Sequence, residues 1–125
     1  MPVRFRISGP ARADLSAILS TSLQRWGEDG RARYAALLVA AMQRIARDPH
    51  GPMTRDRPEL LPGTRSLHLR HAGRGHVVDA PVHMVFYRPI GGLIEILRVL
   101  HERMEPSRHV TPARTKSRTR RRRGP

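Results

Sequence analysis

At 125 residues with 38% hydrophobic side chains, the chain is expected to form one small domain with a modest core. No apolar stretch approaches the roughly 20 residues that cross a bilayer. The opening MPVRFRISGP lacks the apolar segment of a secretory signal, and the absence of cysteine excludes a disulfide framework and thiolate chemistry. A cytoplasmic protein with no membrane association and no cofactor is expected. The formal charge of +14 points to anionic partners, but it is unevenly spread: TPARTKSRTRRRRGP, residues 111–125, carries six arginines and Lys116 with no acid.

In chain order, VRFRI alternates with Val3, Phe5 and Ile7 on one face, the period of a half-buried strand. Ser8 or Gly9 then caps a helix, with Pro10 in its first turn. Leu15, Ile18, Leu19, Leu23 and Trp26 recur at helical spacing until Gly27 stops the run. Glu28 and Asp29 suit the positive end of a second helix. Its stripe is Tyr34, Leu37, Leu38, Ala41 and Ile45, and Pro49 ends it. So short a link predicts an antiparallel helical hairpin, with Trp26 and Tyr34 in the core. PHGPMTRDRPELLPG reads as a loop. TRSLHLRH reads as a strand with Leu67 and Leu69 on one face, and His68 and His83 are expected to face solvent. A second irregular connection runs from Ala72 to Pro81. VHMVFYR and LIEILRVLH, joined by a short Gly-containing link, form a hairpin apolar on both faces and therefore central in the sheet.

The expected fold is α+β in the order β-α-α-β-β-β, a helical hairpin on one face of a small, mainly antiparallel sheet. Residues 1–110 make the folded domain. The tail 111–125 repels itself and reads as disordered; its functional reading is a nonspecific nucleic-acid arm, its bland one solubility or codon bias.

Several motifs in this order carry a family likeness: ADL in the first helix, RWG at its end, P-G-x-R-S-L leading into the second strand, then VFYR and IEILRVLHERM. Together they resemble the RelE/ParE superfamily of bacterial type II toxins, the ParE branch above all, over about residues 3–106. The resemblance implies a toxin neutralised by a cognate ParD-like antitoxin and directed at DNA gyrase. RelE-branch members instead cleave messenger RNA in the ribosome. A third possibility, a plain basic nucleic-acid-binding protein, rests on charge alone.

Metal-independent RNA cleavage needs a base, an acid and cationic groups for developing phosphate charge. Arg65, Tyr87, Arg98 and His101 are the candidates for that chemistry. Arg98 and His101 have opposite parity on a regular strand and are expected on opposite faces, which favours an interaction poison over a nuclease. Arg98 interrupts an apolar row of Ile94, Ile96 and Leu100, so it needs a carboxylate partner, and Asp14 is one candidate. Expected target contacts are Arg65, Arg98, His101, Arg103 and Met104. Leu15, Ile18 and Leu19, with Met84 and Phe86 on the sheet, are candidates for antitoxin binding, although most are expected to serve the core. The seven histidines show no metal-ligand spacing, and no metal site is expected.

Overall fold

The computed structural model describes residues 4–73 and 78–110. The Arg-rich tail and the middle of the Ala72 to Pro81 connection lie outside the described residues. Strand β1 (Arg4–Ile7) leads directly into helix α1 (Gly9–Arg47). Ser8 makes the join in both directions: its Oγ accepts from the Ala11 N–H at 3.1 Å and donates to the Leu97 carbonyl at 2.8 Å. One hydroxyl thus caps the helix and pins it to the sheet.

Helix α1 is broken at Gly27, whose φ of 74° and ψ of −172° lie where only glycine is at ease. The break reverses the chain. Asp14, on the first arm, bonds the Val99 N–H, while Tyr34, on the second, bonds His83, which pairs with His101 two positions further along the same strand. In a straight helix those two residues would stand about 30 Å apart. At the reversal, a Cβ on Gly30 would lie 2.3 Å from Trp26 Cβ, so the second arm can start only at a residue without a side chain. The predicted helical hairpin is therefore present.

The sheet has five strands in the order β1-β5-β4-β3-β2. β2 (Arg55–Asp56), β3 (Arg65–His68), β4 (His83–Ile90) and β5 (Leu93–His101) are mutually antiparallel, whereas β1 lies parallel to β5 with Phe5 opposite Ile94. The α+β class holds, with two differences in detail. The two-residue β2 adds an edge strand. The strand expected from TRSLHLRH is shorter: Arg70 donates its N–H to His68 Nδ1 and Ala72 donates to the Leu69 carbonyl, which curls Leu69–His71 into a 3-10 turn.

Apolar side chains are buried on both faces of the central strands. Beneath the helices, Ile18, Tyr34, Leu37, Leu38, Ala41 and Ile45 meet Leu67, Val85, Tyr87, Ile94, Ile96 and Val99. On the opposite face Phe86 and Leu100 are covered by Leu60, Leu61 and Val110, the last brought back by a second 3-10 turn (Pro106–Arg108). A β-bulge decides which residue goes where: Tyr87 pairs with Ile96 and Phe86 with Arg98, leaving Leu97 as an extra residue on β5. The expected row of Ile94, Ile96 and Leu100 is thereby split. Val99 joins Ile94 and Ile96 under the helices, and Leu100 joins Phe86 on the other side.

Three expectations about individual side chains need correction. Trp26 is not core; it is 58% exposed at the hairpin reversal. His68 is buried, because Glu102 reaches its Nε2 at 2.7 Å. His83 is largely covered, because the Tyr34 hydroxyl bonds its Nδ1 at 2.6 Å.

Candidate functional site

The point where β5 leaves the sheet is organised by Arg98. Its Nε and Nη2 donate to the two oxygens of Asp14 at 2.7 and 2.8 Å, and its Nη1 donates to the His109 carbonyl at 3.1 Å. The Asp14 carboxylate also accepts the Val99 N–H at 2.9 Å. Both side chains are mostly buried, and the bond to Asp14 raises the already high pKa of Arg98. The partner suggested by sequence is thus the partner found. A single guanidinium ties the first helical arm, the sheet and the returning C-terminal segment together.

His101 points under the helices, as Val99 does. Its ring lies edge-on to His83 with centroids 5.6 Å apart. Its Nδ1 accepts the Arg103 N–H at 3.1 Å, and its carbonyl accepts the Met104 N–H at 2.9 Å. This tight turn projects Arg103 and Met104 into solvent. The Tyr34 oxygen accepts the Val82 N–H at 3.4 Å and shares the 2.6 Å hydrogen bond with His83 Nδ1. Burial, then the neighbouring His101 and His68, push the His83 pKa down to about 4. Burial likewise raises the Tyr34 pKa.

The four residues considered for RNA cleavage do not converge. Tyr87 is 0% exposed and donates its hydroxyl to the Pro49 carbonyl; burial raises its pKa. Arg65 stands opposite Tyr87 across the β3–β4 ladder and bonds Thr54 Oγ1 at 2.8 Å. Arg98 is held by Asp14, and His101 faces His83 at the far end of β4. Among the described residues no three potential ligands gather into a metal site.

Of the apolar residues considered for partner binding, Leu15 and Leu19 on the first arm and Met84 on the sheet are half-buried. Ile18 and Phe86 are buried, Phe86 at 1% exposure beneath the Arg57 guanidinium.

The sequence alone did not disclose a groove of about 760 Å³ beside this region, between the hairpin reversal and residues 78–83. Trp26, Arg33 and Tyr34 line it from the helices, His83 and His101 from the sheet. The available signal was RWG itself, a large aromatic placed directly before a chain-reversing glycine.

The model of the family described as "ParE toxin of type II toxin-antitoxin system, parDE" matches residues 5–106. Toxin ParE1 of Caulobacter vibrioides is 39% identical over 106 residues, covering 85% of this chain and 96% of that protein. Toxin ParE1 of Mycobacterium tuberculosis is 34% identical over 111 residues, covering 88% and 100%. Among solved structures, the chromosomal ParDE toxin–antitoxin system of P. aeruginosa superposes with a TM-score of 0.58 at 21% identity, covering 79% of this chain and 95% of that one. A chain of the RelBE2 toxin–antitoxin complex of Mycobacterium tuberculosis gives 0.51 at 24%, covering 81% and 99%. Those two structural likenesses speak to the fold.

Proposed function

Because the chain belongs to the ParE family of type II toxin–antitoxin toxins, we propose that it acts in the cytoplasm as a poison of DNA gyrase and is neutralised by a cognate ParD-like antitoxin. The observation that carries the choice of an interaction poison over a nuclease is the state of Arg98. A cation needed for phosphate chemistry would have to be free to meet phosphate; this one has three of its five N–H donors committed to Asp14 and a backbone carbonyl, and its side chain is mostly buried. The buried Tyr87 and the separation of Arg65 from His101 support the same choice.

In this reading the exposed Arg103 and Met104 make the target contact. His101 shapes their turn, Arg98 anchors the strand behind it, and Arg65 contributes from β3. The antitoxin takes two half-buried apolar patches, Leu15 and Leu19 on the first arm and Met84 on the opposite face of the sheet. Ile18 and Phe86 support those surfaces from within.

The test is purified toxin added to gyrase in a supercoiling and DNA-cleavage assay, with and without antitoxin. Gyrase-linked cleaved DNA that disappears when antitoxin is added is the expected result. Intact gyrase activity together with truncated messages in a translation extract would replace the proposal by ribosome-dependent RNA cleavage.

A further inference from the structure

The groove beside the hairpin reversal is distinct from the Arg103–Met104 tip. Its occupant can be argued from what lines it. Trp26 is the most exposed of the large hydrophobic side chains in the described structure, at 58%. An indole held this far out of a core has lost the burial that ordinarily stabilises it. Its position is built in rather than incidental: Gly27 reverses the chain immediately after it, and Gly30 leaves the space its Cβ occupies. The Arg25 guanidinium lies 5.6 Å from the ring centre, a cation over a π-face. Arg25 and Arg33 both line the groove, and among the described residues neither has a carboxylate partner. Across from them, Ala80 adopts a left-handed backbone at φ 46°, the only non-glycine among the described residues to do so. Asp79, next to it, places one acceptor on the same wall.

A flat π-surface flanked by two cations suits a ligand that is itself flat at one end and anionic at the other. We propose that this groove binds one nucleotide unit. The base stacks on Trp26, the phosphate meets Arg25 and Arg33, and Asp79 accepts from an exocyclic amine or a sugar hydroxyl. The volume of about 760 Å³ holds a nucleotide with room for solvent. The Asp79 carboxylate works against a long phosphate track, so the site accepts a single unit, whether a free nucleotide or one residue of a single strand. An acidic peptide would satisfy the arginines but leave the indole face unused. The proposal is independent of the gyrase reading.

Trp26 is the only tryptophan in the chain, so its emission reports on this groove alone. The full-length protein is titrated with AMP, with an eight-nucleotide single-stranded DNA and with inorganic phosphate, following Trp26 emission alongside the anisotropy of a labelled oligonucleotide. Quenching by AMP and the oligonucleotide indicates a free-nucleotide site, and quenching by the oligonucleotide alone indicates one residue of a strand; either supports the proposal. Read by isothermal titration calorimetry, because neither variant retains the tryptophan, Trp26→Ala should weaken the ligand that quenches the parent about 5- to 100-fold, from the range of base–aromatic stacking energies, with partial rescue by Trp26→Phe. Replacing Arg25 and Arg33 by Gln should lower the slope of log K against log salt for the oligonucleotide by roughly 0.7, because both arginines meet one phosphate. Binding through the Arg-rich tail alone would raise anisotropy without changing Trp26 emission, and that result overturns the proposal. So does equal quenching by phosphate, or quenching by gyrase or antitoxin with none by the nucleotides. Gyrase poisoning is read in a separate assay, so either idea can fail without the other.

Discussion

Asp14→Ala removes more than one ion-pair partner. The carboxylate receives three hydrogen bonds, from Arg98 Nε, Arg98 Nη2 and the Val99 N–H, at 2.7, 2.8 and 2.9 Å. The side chains of Asp14 and Arg98 are only 13% and 21% exposed, so water replaces little of what is lost. A charge-assisted bond contributes about 1.5–3 kcal/mol, and breaking a buried pair costs about 3–5. With Arg98 able to reach solvent in part, about 3 kcal/mol is expected, or roughly 12 °C in Tm for a domain of this size. Arg98→Met should cost about 2–3 kcal/mol, because Asp14 keeps the Val99 N–H while the His109 carbonyl loses its donor. The double variant should cost less than the sum, with a coupling of about 1–2 kcal/mol. Urea unfolding followed by circular dichroism measures all three. Coupling below about 0.5 kcal/mol would refute the claim that the pair acts as one unit.

The hairpin reversal offers two contrasting substitutions. At Gly27 an added Cβ meets nothing within 4 Å, so Gly27→Ala should cost about 1–3 kcal/mol through backbone strain alone, read as a lower urea midpoint with Trp26 emission unchanged. At Gly30 the obstacle is Trp26 Cβ at 2.3 Å, and Trp26 cannot swing its own Cβ aside. Gly30→Ala should therefore cost a comparable amount and also shift Trp26 emission. The low pKa of His83, about 4 in the fold against about 6.5 unfolded, means the unfolded chain binds the extra proton between those values. Stability should accordingly fall as pH drops from about 6.5 towards 4, by up to about 2 kcal/mol, because solvent reaching the ring screens part of the effect. His71, also lowered, adds in the same direction. Unfolding at pH 7 and 5.5 should show a smaller drop for His83→Gln than for the parent. At the β5 tip, Arg103→Ala with Met104→Ala should abolish the proposed gyrase poisoning while leaving Tm within about 4 °C, since both side chains are solvent-exposed.

Local chemistry made most of the fold legible. The helical hairpin followed from two 3.6-residue stripes separated by Gly27. The central strands followed from apolar character on both faces of VHMVFYR and LIEILRVLH. The need for a carboxylate beside Arg98 was legible because a charge on a central strand requires one; Asp14 was one candidate, and the fold selects it. What stayed hidden depends on tertiary pairing. The bulge at Leu97 has no local signature, yet it transfers Leu100 to the face opposite Ile96. His68 and His83 looked like polar strand positions. They are covered because Glu102 and Tyr34, distant in sequence, reach their ring nitrogens. Trp26 obeyed the apolar stripe of its helix, but it lies in the last turn before the reversal and is left 58% exposed there.

The parallel pairing of β1 with β5 has a consequence for how the protein is made. The strand that begins the fold finds its neighbour only near the end; Ser8 and the Leu97 carbonyl it bonds are 89 positions apart. Until β5 has left the ribosome, β1 has no ladder, β4 lacks one neighbour, and Asp14 lacks Arg98. Contacts this distant in sequence slow folding and favour completion in one late step. Nascent chains interrupted before β5 should therefore contain no partly formed tip, because the turn that carries Arg103 and Met104 follows β5 and is held through His101.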